Sequence, residues 1–229
     1  MILANYDWDW IGSEKEYRRG IELNPNYATA HHWFAELLTW LGRFDEALRE
    51  SELARRLDPL SLAIATDRAA IFYYARQYDR AIEEFRVVQE MNSKFPRVHV
   101  VIYAYVELGK FEDTLADLEV WRRDSGDSGD AGWIRATQAY VYGRAGRPDK
   151  ARAALEKLEQ MAKTQKVNSA TMVWGNLGVG DKDVTLGWLE KAYAQRSNAM
   201  TALRVDPAFD PLRNEARFQG LLRRVGLDR

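Results

Sequence analysis

Apolar residues recur along this chain at the spacing of amphipathic helices, in runs of about a dozen residues each. One run, ATAHHWFAELLTWL, precedes the turn GRFDE, and a second, ALRESELARRL, follows it. The unit closes on proline in RLDPL at 56–60, as an earlier unit does in ELNPN at 22–26. Proline lacks an N–H and disfavours helix in the residue before it, so each proline separates one helix pair from the next. The pattern predicts consecutive helical hairpins.

The turn between the two helices recurs about every thirty-four residues. GRFDEAL at 42–48 is followed by RQYDRAI at 76–82, GKFEDTL at 109–115, GRPDKAR at 146–152 and GDKDVTL at 180–186. A small residue keeps one slot at spacings of 34, 34, 33, 37 and 34, at Ser13, Ala47, Ala81, Thr114, Ala151 and Thr185. Small side chains let paired backbones approach closely, and ordinary helical bundles keep no such register. The chain is therefore predicted to be a repeat protein.

These residues resemble the tetratricopeptide repeat, whose pattern is W-x2-L-G-x2-Y, then A-x3-F, then proline. Within 28–59 its slots hold His31, Phe34, Ala35, Leu38, Ala47, Ser51, Ala54 and Pro59. The resemblance implies an all-α, right-handed superhelical α-solenoid of stacked helix-turn-helix repeats with a C-terminal capping helix. The implied array covers 1–195, as a partial repeat at 1–25 followed by repeats at 26–60, 61–94, 95–130, 131–165 and 166–195. A capping segment at 196–229 follows.

The two ends differ from the middle of the array. The first unit lacks a full first helix, so either the chain is part of a longer protein, which we favour, or Trp8 and Trp10 cover the open end. The last segment, RVDPAFDPLRNEARFQGLLRRVGL, has two Asp-Pro turns and a closing amphipathic helix. We expect that helix to cover the last hydrophobic face, as repeat arrays require.

The tail also resembles the C-terminal repeat arrays of bacterial signalling proteins that carry a winged-helix regulatory domain or a serine/threonine kinase domain. No residue of either head lies in this chain, so DNA binding and kinase activity are not carried over. The resemblance implies an accessory array with a sensory or partner-binding role, possible fusion to an N-terminal signalling domain, and a cytoplasmic location. A membrane-spanning parent would instead place the array in the periplasm.

First helices of such arrays line a concave face, and here that face is predicted to be rich in aromatic rings. The proposed groove consists of His32, Trp33, Glu36, Trp40, Asp67, Tyr73, Tyr74, His99, Tyr103, Trp133, Tyr140, Arg144 and Trp174, with Glu107 also pointing inward. Rigid rings with a polar edge suit a peptide laid along a groove. The histidines, Glu36, Asp67 and Arg144 would set its polarity. The alternative is that several rings pack only against the neighbouring repeat.

Other kinds of site find little support in the residues. A clamp for a C-terminal carboxylate needs lysine and asparagine donors, whereas the inward slots hold Trp33, Glu36 and Asp67. His32 and Glu36 are half of a metal site without a nearby third ligand. The loop DSGDSGD at 124–130 lacks the spacing of a calcium-binding EF-hand. In GNLGVGDKD an aspartate follows the last glycine, where a phosphate loop requires lysine. We predict no catalytic residue, no metal and no cofactor.

Composition narrows the partners further. A net charge of -1 with both signs interspersed predicts no nucleic-acid partner. No apolar run reaches the ~20 residues that a bilayer span needs, so no membrane insertion by this chain is predicted. The favoured function is a non-catalytic protein-interaction module that binds a peptide or partner segment. The alternatives are an effector-binding part of a regulator or kinase, and a self-associating array that forms homo-oligomers.

Overall fold

The computed structural model of the chain describes residues 2–92, 99–125 and 131–228, and within these ranges all regular structure is helical. The α-helices of this part are α1 (Trp10–Leu23), α2 (Ala28–Trp40), α3 (Phe44–Leu57), α4 (Leu62–Tyr74), α5 (Tyr78–Met91), α6 (His99–Glu107), α7 (Phe111–Ser125), α8 (Ala131–Arg144), α9 (Pro148–Thr164), α10 (Ser169–Val179), α11 (Lys182–Ala194) and α12 (Ala216–Val225). A π-helical turn, Leu3–Asp7, precedes α1, and 3-10 turns at Asn198–Met200 and Pro207–Leu212 precede α12. The prediction of an all-α helical-repeat fold is confirmed.

Each hairpin turns at a residue with positive φ. Gly42, Gly109, Gly146 and Gly180 have φ values of 75°, 74°, 70° and 80°, a left-handed conformation that glycine adopts without the Cβ clash of other residues. Gly180 thus ends α10, and Asp181 caps α11 by accepting a hydrogen bond from the Val184 amide at 3.0 Å. The turn between α10 and α11 therefore accounts for the glycine at position 180, as the repeat pattern predicted.

The small-residue slots are all buried. All six of them are at most 3% exposed: Ser13, Ala47, Ala81, Thr114, Ala151 and Thr185. The two threonines satisfy their hydroxyls within their own helices, by donating to the carbonyls of Lys110 at 2.7 Å and Asp181 at 2.6 Å. A slot can therefore be polar provided that it is small.

The chain divides into two compact units. The first unit consists of Met1–Ala104, Met200–Arg213 and Gln219–Arg229, and the second of Tyr105–Ala199 and Asn214–Phe218. Within the first unit the indole N–H of Trp10 donates to the carbonyl of Val225 at 2.6 Å. Residues from the far end of the sequence thus pack on the earliest helices. The predicted division at residue 195 stays a prediction.

In the second unit the first helices α8 and α10 touch backbone to backbone. A Cβ built on Gly178 would lie 2.2 Å from the carbonyl oxygen of Ala139, and one built on Gly143 would lie 1.8 Å from the carbonyl oxygen of Gly178. Neither neighbour is a flexible side-chain end that could move aside. This contact requires glycine on both helices.

We predict opposite effects of alanine at two helical glycines of the second unit. Gly178→Ala should lower the free energy of unfolding by about 3 kcal/mol or more, because overpacking against backbone forces the helices apart. Gly187→Ala is the matched control, since a Cβ there meets nothing within 4 Å, and it should stabilise the chain by about 0.5–1 kcal/mol. Urea unfolding followed by circular dichroism measures both. Equal effects of the two substitutions would contradict the close contact.

Candidate partner-binding surface

Two first helices of the first unit, α2 and α4, enclose a cavity of about 120 Å³, here called the α2–α4 cavity. Its walls include His32, Glu36 and Trp40 from α2 and Asp67 and Tyr74 from α4. Five of the thirteen predicted groove residues therefore share one cavity. The volume is close to that of an engineered cavity of ~150 Å³ that accepts benzene. The cavity is thus large enough for the end of one side chain and too small for a segment of helix.

A hydrogen bond between side chains joins the two helices at this cavity. His32 Nε2 lies 2.7 Å from Asp67 Oδ2, with the histidine 11% and the aspartate 27% exposed. Trp40 is buried, because its ring packs edge-on against Trp10 with the centroids 6.4 Å apart. On the same helix Trp33 is 40% exposed. Trp40 thus forms part of the wall, while Trp33 remains open to a partner.

Other predicted groove residues of the first unit are packed in its interior. Tyr73 is 1% and Tyr103 is 6% exposed. The Tyr73 ring lies 5.2 Å from the Tyr74 ring and 6.4 Å from the Tyr103 ring. Its hydroxyl donates to Asp206 Oδ1 at 2.9 Å, and the same oxygen accepts from the amide of Ala208 at 3.0 Å. Tyr73 is therefore bonded to the chain's own C-terminal segment.

That segment, Met200–Arg213, covers part of the first-helix surface of the first unit. Leu203, Phe209 and Leu212 are 0%, 4% and 1% exposed, and burying each such side chain contributes about 1.5–3 kcal/mol. Detaching the segment would forfeit several kcal/mol before any partner bound. The covered part is therefore closed, whereas the α2–α4 cavity has no residue of this segment in its lining and Trp33 is exposed.

An ion pair fixes the segment at its edge. Arg76 donates through both terminal nitrogens to the Asp210 carboxylate, at 2.7 and 2.8 Å. Arg76 occupies the turn slot that holds glycine in the other hairpins, and it has a φ of 62°. Left-handed backbone costs a residue with a Cβ about 1–2 kcal/mol. The bidentate pair holds the Arg76 side chain at this turn against the segment.

In the second unit, three of the four predicted groove residues, Tyr140, Arg144 and Trp174, form one group. Arg144 bonds the carboxylate of Glu107, with one contact at 3.0 Å, and donates to the Tyr140 hydroxyl at 2.8 Å. The Tyr140 ring meets Trp174 edge-on at 5.2 Å. Tyr140 is buried, while Arg144 is exposed at one edge. This group is held rigidly by its own contacts.

Trp133 belongs to a separate contact of the second unit. Its ring lies 5.8 Å from that of Trp121 in α7, at an interplanar angle of 34°.

The side chain of His99 lies outside the described residues. Among those described, no three His, Asp or Glu side chains are grouped to hold a metal ion.

Three residues important to these surfaces, Arg76, Trp121 and Asp206, were absent from the predicted groove. The sequence does single out Arg76, because this arginine replaces the glycine found at the same turn position of the other hairpins. Asp206 carried only a turn signal, since its partner Tyr73 is 133 positions away. Trp121 lies on a second helix, where the repeat pattern does not place inward residues.

Burial raises the pKa of Tyr74 well above its usual value, and the nearby Asp206, Glu36, Tyr103 and Asp67 raise it further. A phenol resists ionisation where neighbouring charges are negative, because the phenolate would add another. The acidic side chains near Tyr74 thus add to the effect of burial on the pKa of this phenol.

Comparisons with known proteins give partial matches. No protein-family model matches the chain. A stretch of 72 residues is 32% identical to the Hsp70-Hsp90 organizing protein 3 of Arabidopsis thaliana and covers 31% of this chain and 13% of that protein. The crystal structure of the P58(IPK) TPR domain aligns with 95% of this chain and 60% of that one, at 11% identity and a TM-score of 0.37.

The deciding observation is that helix pairs recur in register with the buried small residues, as the tetratricopeptide pattern requires. The helix pairs thus resemble tetratricopeptide repeats. Stacked helical repeats in general present extended concave surfaces that are used for binding. Among the helices that the structure describes, none combines the length and apolarity needed to cross a bilayer.

We predict that the turn at Arg76 carries backbone strain, because its φ is positive. Arg76→Ala keeps the strained φ and loses the ion pair with Asp210. Arg76→Gly also loses the ion pair but relieves the strain. The glycine variant should therefore be more stable than the alanine variant by about 1 kcal/mol. Denaturant unfolding of the two variants measures this difference. An alanine variant as stable as the glycine variant would show that the slot is not strained.

We also predict an alkaline instability that depends on Tyr74. In the unfolded chain its phenol titrates near pH 10, whereas its raised pKa keeps it protonated in the folded state. The folded state then binds the additional proton, so the free energy of unfolding falls as pH rises above about 10. Tyr74→Phe should make this fall shallower. Denaturant unfolding at a series of pH values tests it, and parallel curves for the two proteins would contradict the burial of this phenol.

Proposed function

We propose that this chain is a non-catalytic interaction module that binds a polypeptide segment on its open first-helix surface. The observation that carries the proposal is the α2–α4 cavity, where predicted groove residues from two repeats meet; the exposed Trp33 lies on one of its two helices. A peptide backbone laid along α2 could place one side chain in the cavity and pack against Trp33. Aromatic residues next to a pocket are the usual centres of binding energy.

The rigidity of the surface supports binding with little ordering cost. His32 is bonded to Asp67 at 2.7 Å and Trp40 packs against Trp10. Side chains that are already fixed lose little conformational entropy when a partner arrives. In the second unit, the group of Arg144, Tyr140 and Trp174 is fixed in the same way and offers a second contact surface.

The chemistry around the cavity favours binding over catalysis. His32 and Asp67 resemble the base and the orienting acid of a hydrolytic triad, but such a site also needs a nucleophile bonded to the histidine. The Thr39 hydroxyl in the cavity wall donates instead to the carbonyl of Ala35 at 2.7 Å. The histidine pair therefore acts in our proposal as a fixed polar contact.

The charge of the cavity also favours one kind of polypeptide contact over another. Glu36 and Asp67 would repel the C-terminal carboxylate of a partner, since like charges in a partly buried site are costly. We therefore propose recognition of an internal segment rather than of a free C-terminus. The plant relative is named for Hsp70 and Hsp90, and we do not extend that partner assignment to this chain.

Selection from a displayed library of random peptides tests the proposal. The full chain is the bait, and selected peptides are then titrated against Trp33→Ala and against Leu53→Ala, a control at a residue of α3 that is 41% exposed. We expect Trp33→Ala to weaken binding about thirtyfold, the loss of a hot-spot residue worth about 2 kcal/mol. Leu53→Ala should change affinity by no more than about twofold.

Peptides that bind both variants as tightly as the original chain would place the binding surface elsewhere and overturn the proposal. Sedimentation over a range of concentrations tests the self-association alternative. Dimers that dissociate in Trp33→Ala would assign this surface to a second copy of the chain.

A further inference from the structure

His31 in α2 has a polar contact at each of its two ring nitrogens. Nδ1 lies 2.6 Å from Oε2 of Glu50 in α3, and Nε2 lies 2.9 Å from the carbonyl oxygen of Pro25, in the turn before α2. The histidine is 4% exposed, and it occupies the slot in which the tetratricopeptide pattern begins with tryptophan. The ring therefore joins the turn, α2 and α3 at a buried position that the proposed function does not involve.

The two contacts require two protons on the ring. The carbonyl of Pro25 can only accept a hydrogen bond, so Nε2 must carry a proton, and the ionised carboxylate of Glu50 requires the same of Nδ1. A neutral imidazole has one N–H and one lone pair, and it would direct that lone pair at one of the two acceptors. Because imidazole is a stronger base than a carboxylate, the additional proton belongs to His31 rather than to Glu50.

The other charged groups of α1, α2 and α3 near this position are bonded elsewhere, in the pairs Glu14–Arg18, His32–Asp67, Glu46–Arg43 and Glu52–Arg55. Tyr17 of α1, whose ring lies 6.1 Å from that of Phe34 in α2, is neutral at ordinary pH because burial raises its pKa to about 12. In the part of the chain that the structure describes, Glu50 is thus the titratable group bonded to the ring. A buried charge is tolerated where an opposite charge and acceptors for its protons are present.

We infer that His31 is an imidazolium ion that fastens the Pro25 turn and α2 to α3, and that this fastening is lost as pH rises. A histidine of the unfolded chain releases its second proton near pH 6.5, whereas the folded chain keeps it while both contacts are made. The folded state then binds one proton more than the unfolded state. The stabilisation is therefore complete below about pH 6.5 and declines as pH rises above it.

Loss of the proton would have a local structural effect. One ring nitrogen would then present a lone pair to an acceptor, and either the turn or α3 would have to move away from the ring. The device requires no partner, so it stands or falls independently of the proposed function.

Nitrogen-15 NMR of the ring nitrogens tests the protonation state directly. The full chain is labelled at histidine, and the spectra of His32→Gln and His99→Gln identify the remaining ring signals as those of His31. At about pH 7.5, one unit above the value of a free imidazole, we expect both nitrogens of His31 to be protonated. One protonated and one unprotonated nitrogen at that pH would overturn the inference.

Glu50→Gln removes the need for the second proton. The amide of glutamine can donate to Nδ1 of a neutral ring while Nε2 still donates to Pro25, so His31 of this variant should be neutral at about pH 7.5. Relative to the variant, the folding equilibrium constant of the original chain should fall by up to about tenfold for each pH unit above about 6.5, the effect of one proton. Urea unfolding at a series of pH values measures the difference.

Glu83→Gln, on the exposed face of α5, is the matched control and should keep the pH dependence of the original chain. Parallel curves for the original chain and Glu50→Gln would show that the pair holds no additional proton and would overturn the inference. If Glu50→Gln loses helix content, the nitrogen spectra of the original chain decide alone.

Discussion

Close approach of helix backbones is the constraint on which the rest of this structure depends. Buried alanine, serine and threonine in one slot of each repeat allow two helices to pair, and glycines allow α8 and α10 to touch directly. Because interiors are packed as densely as organic crystals, the first helices then have little freedom to shift or rotate. The side chains of the proposed binding surface take their positions from these contacts, although neither the slot residues nor these glycines line the α2–α4 cavity.

The same constraint explains which features could be predicted from sequence. Helix number and pairing follow from periodicity and from Ala47, Ala81 and their equivalents, because a small slot has the same physical role in every repeat. The turn at Gly180 followed for the same reason. The meeting of His32 and Asp67 across two first helices is a consequence of a register that the sequence contains.

What could not be predicted depends on contacts between distant parts of the chain. Periodicity places Tyr73 on the inner side of α4 but does not distinguish an open ring from a covered one. The difference is made by Asp206, whose local sequence indicates only a turn. Likewise, exposure separates Trp33 from Trp40 on one helix, since only Trp40 meets Trp10. Candidate site residues chosen by register alone therefore include both exposed residues and residues packed in the interior, and tertiary contacts are needed to distinguish them.

The hydrogen bond between the Trp10 indole and the Val225 carbonyl has a consequence for biosynthesis. A ribosome releases the amino-terminal helices long before it has polymerised the residues that complete their packing. The first unit must then wait, with part of its apolar surface uncovered, until residues 219–229 leave the exit tunnel. Pairing of such distant segments carries a large loop-closure entropy. Packing of the first unit is thus completed only when these residues return to helices that were made much earlier.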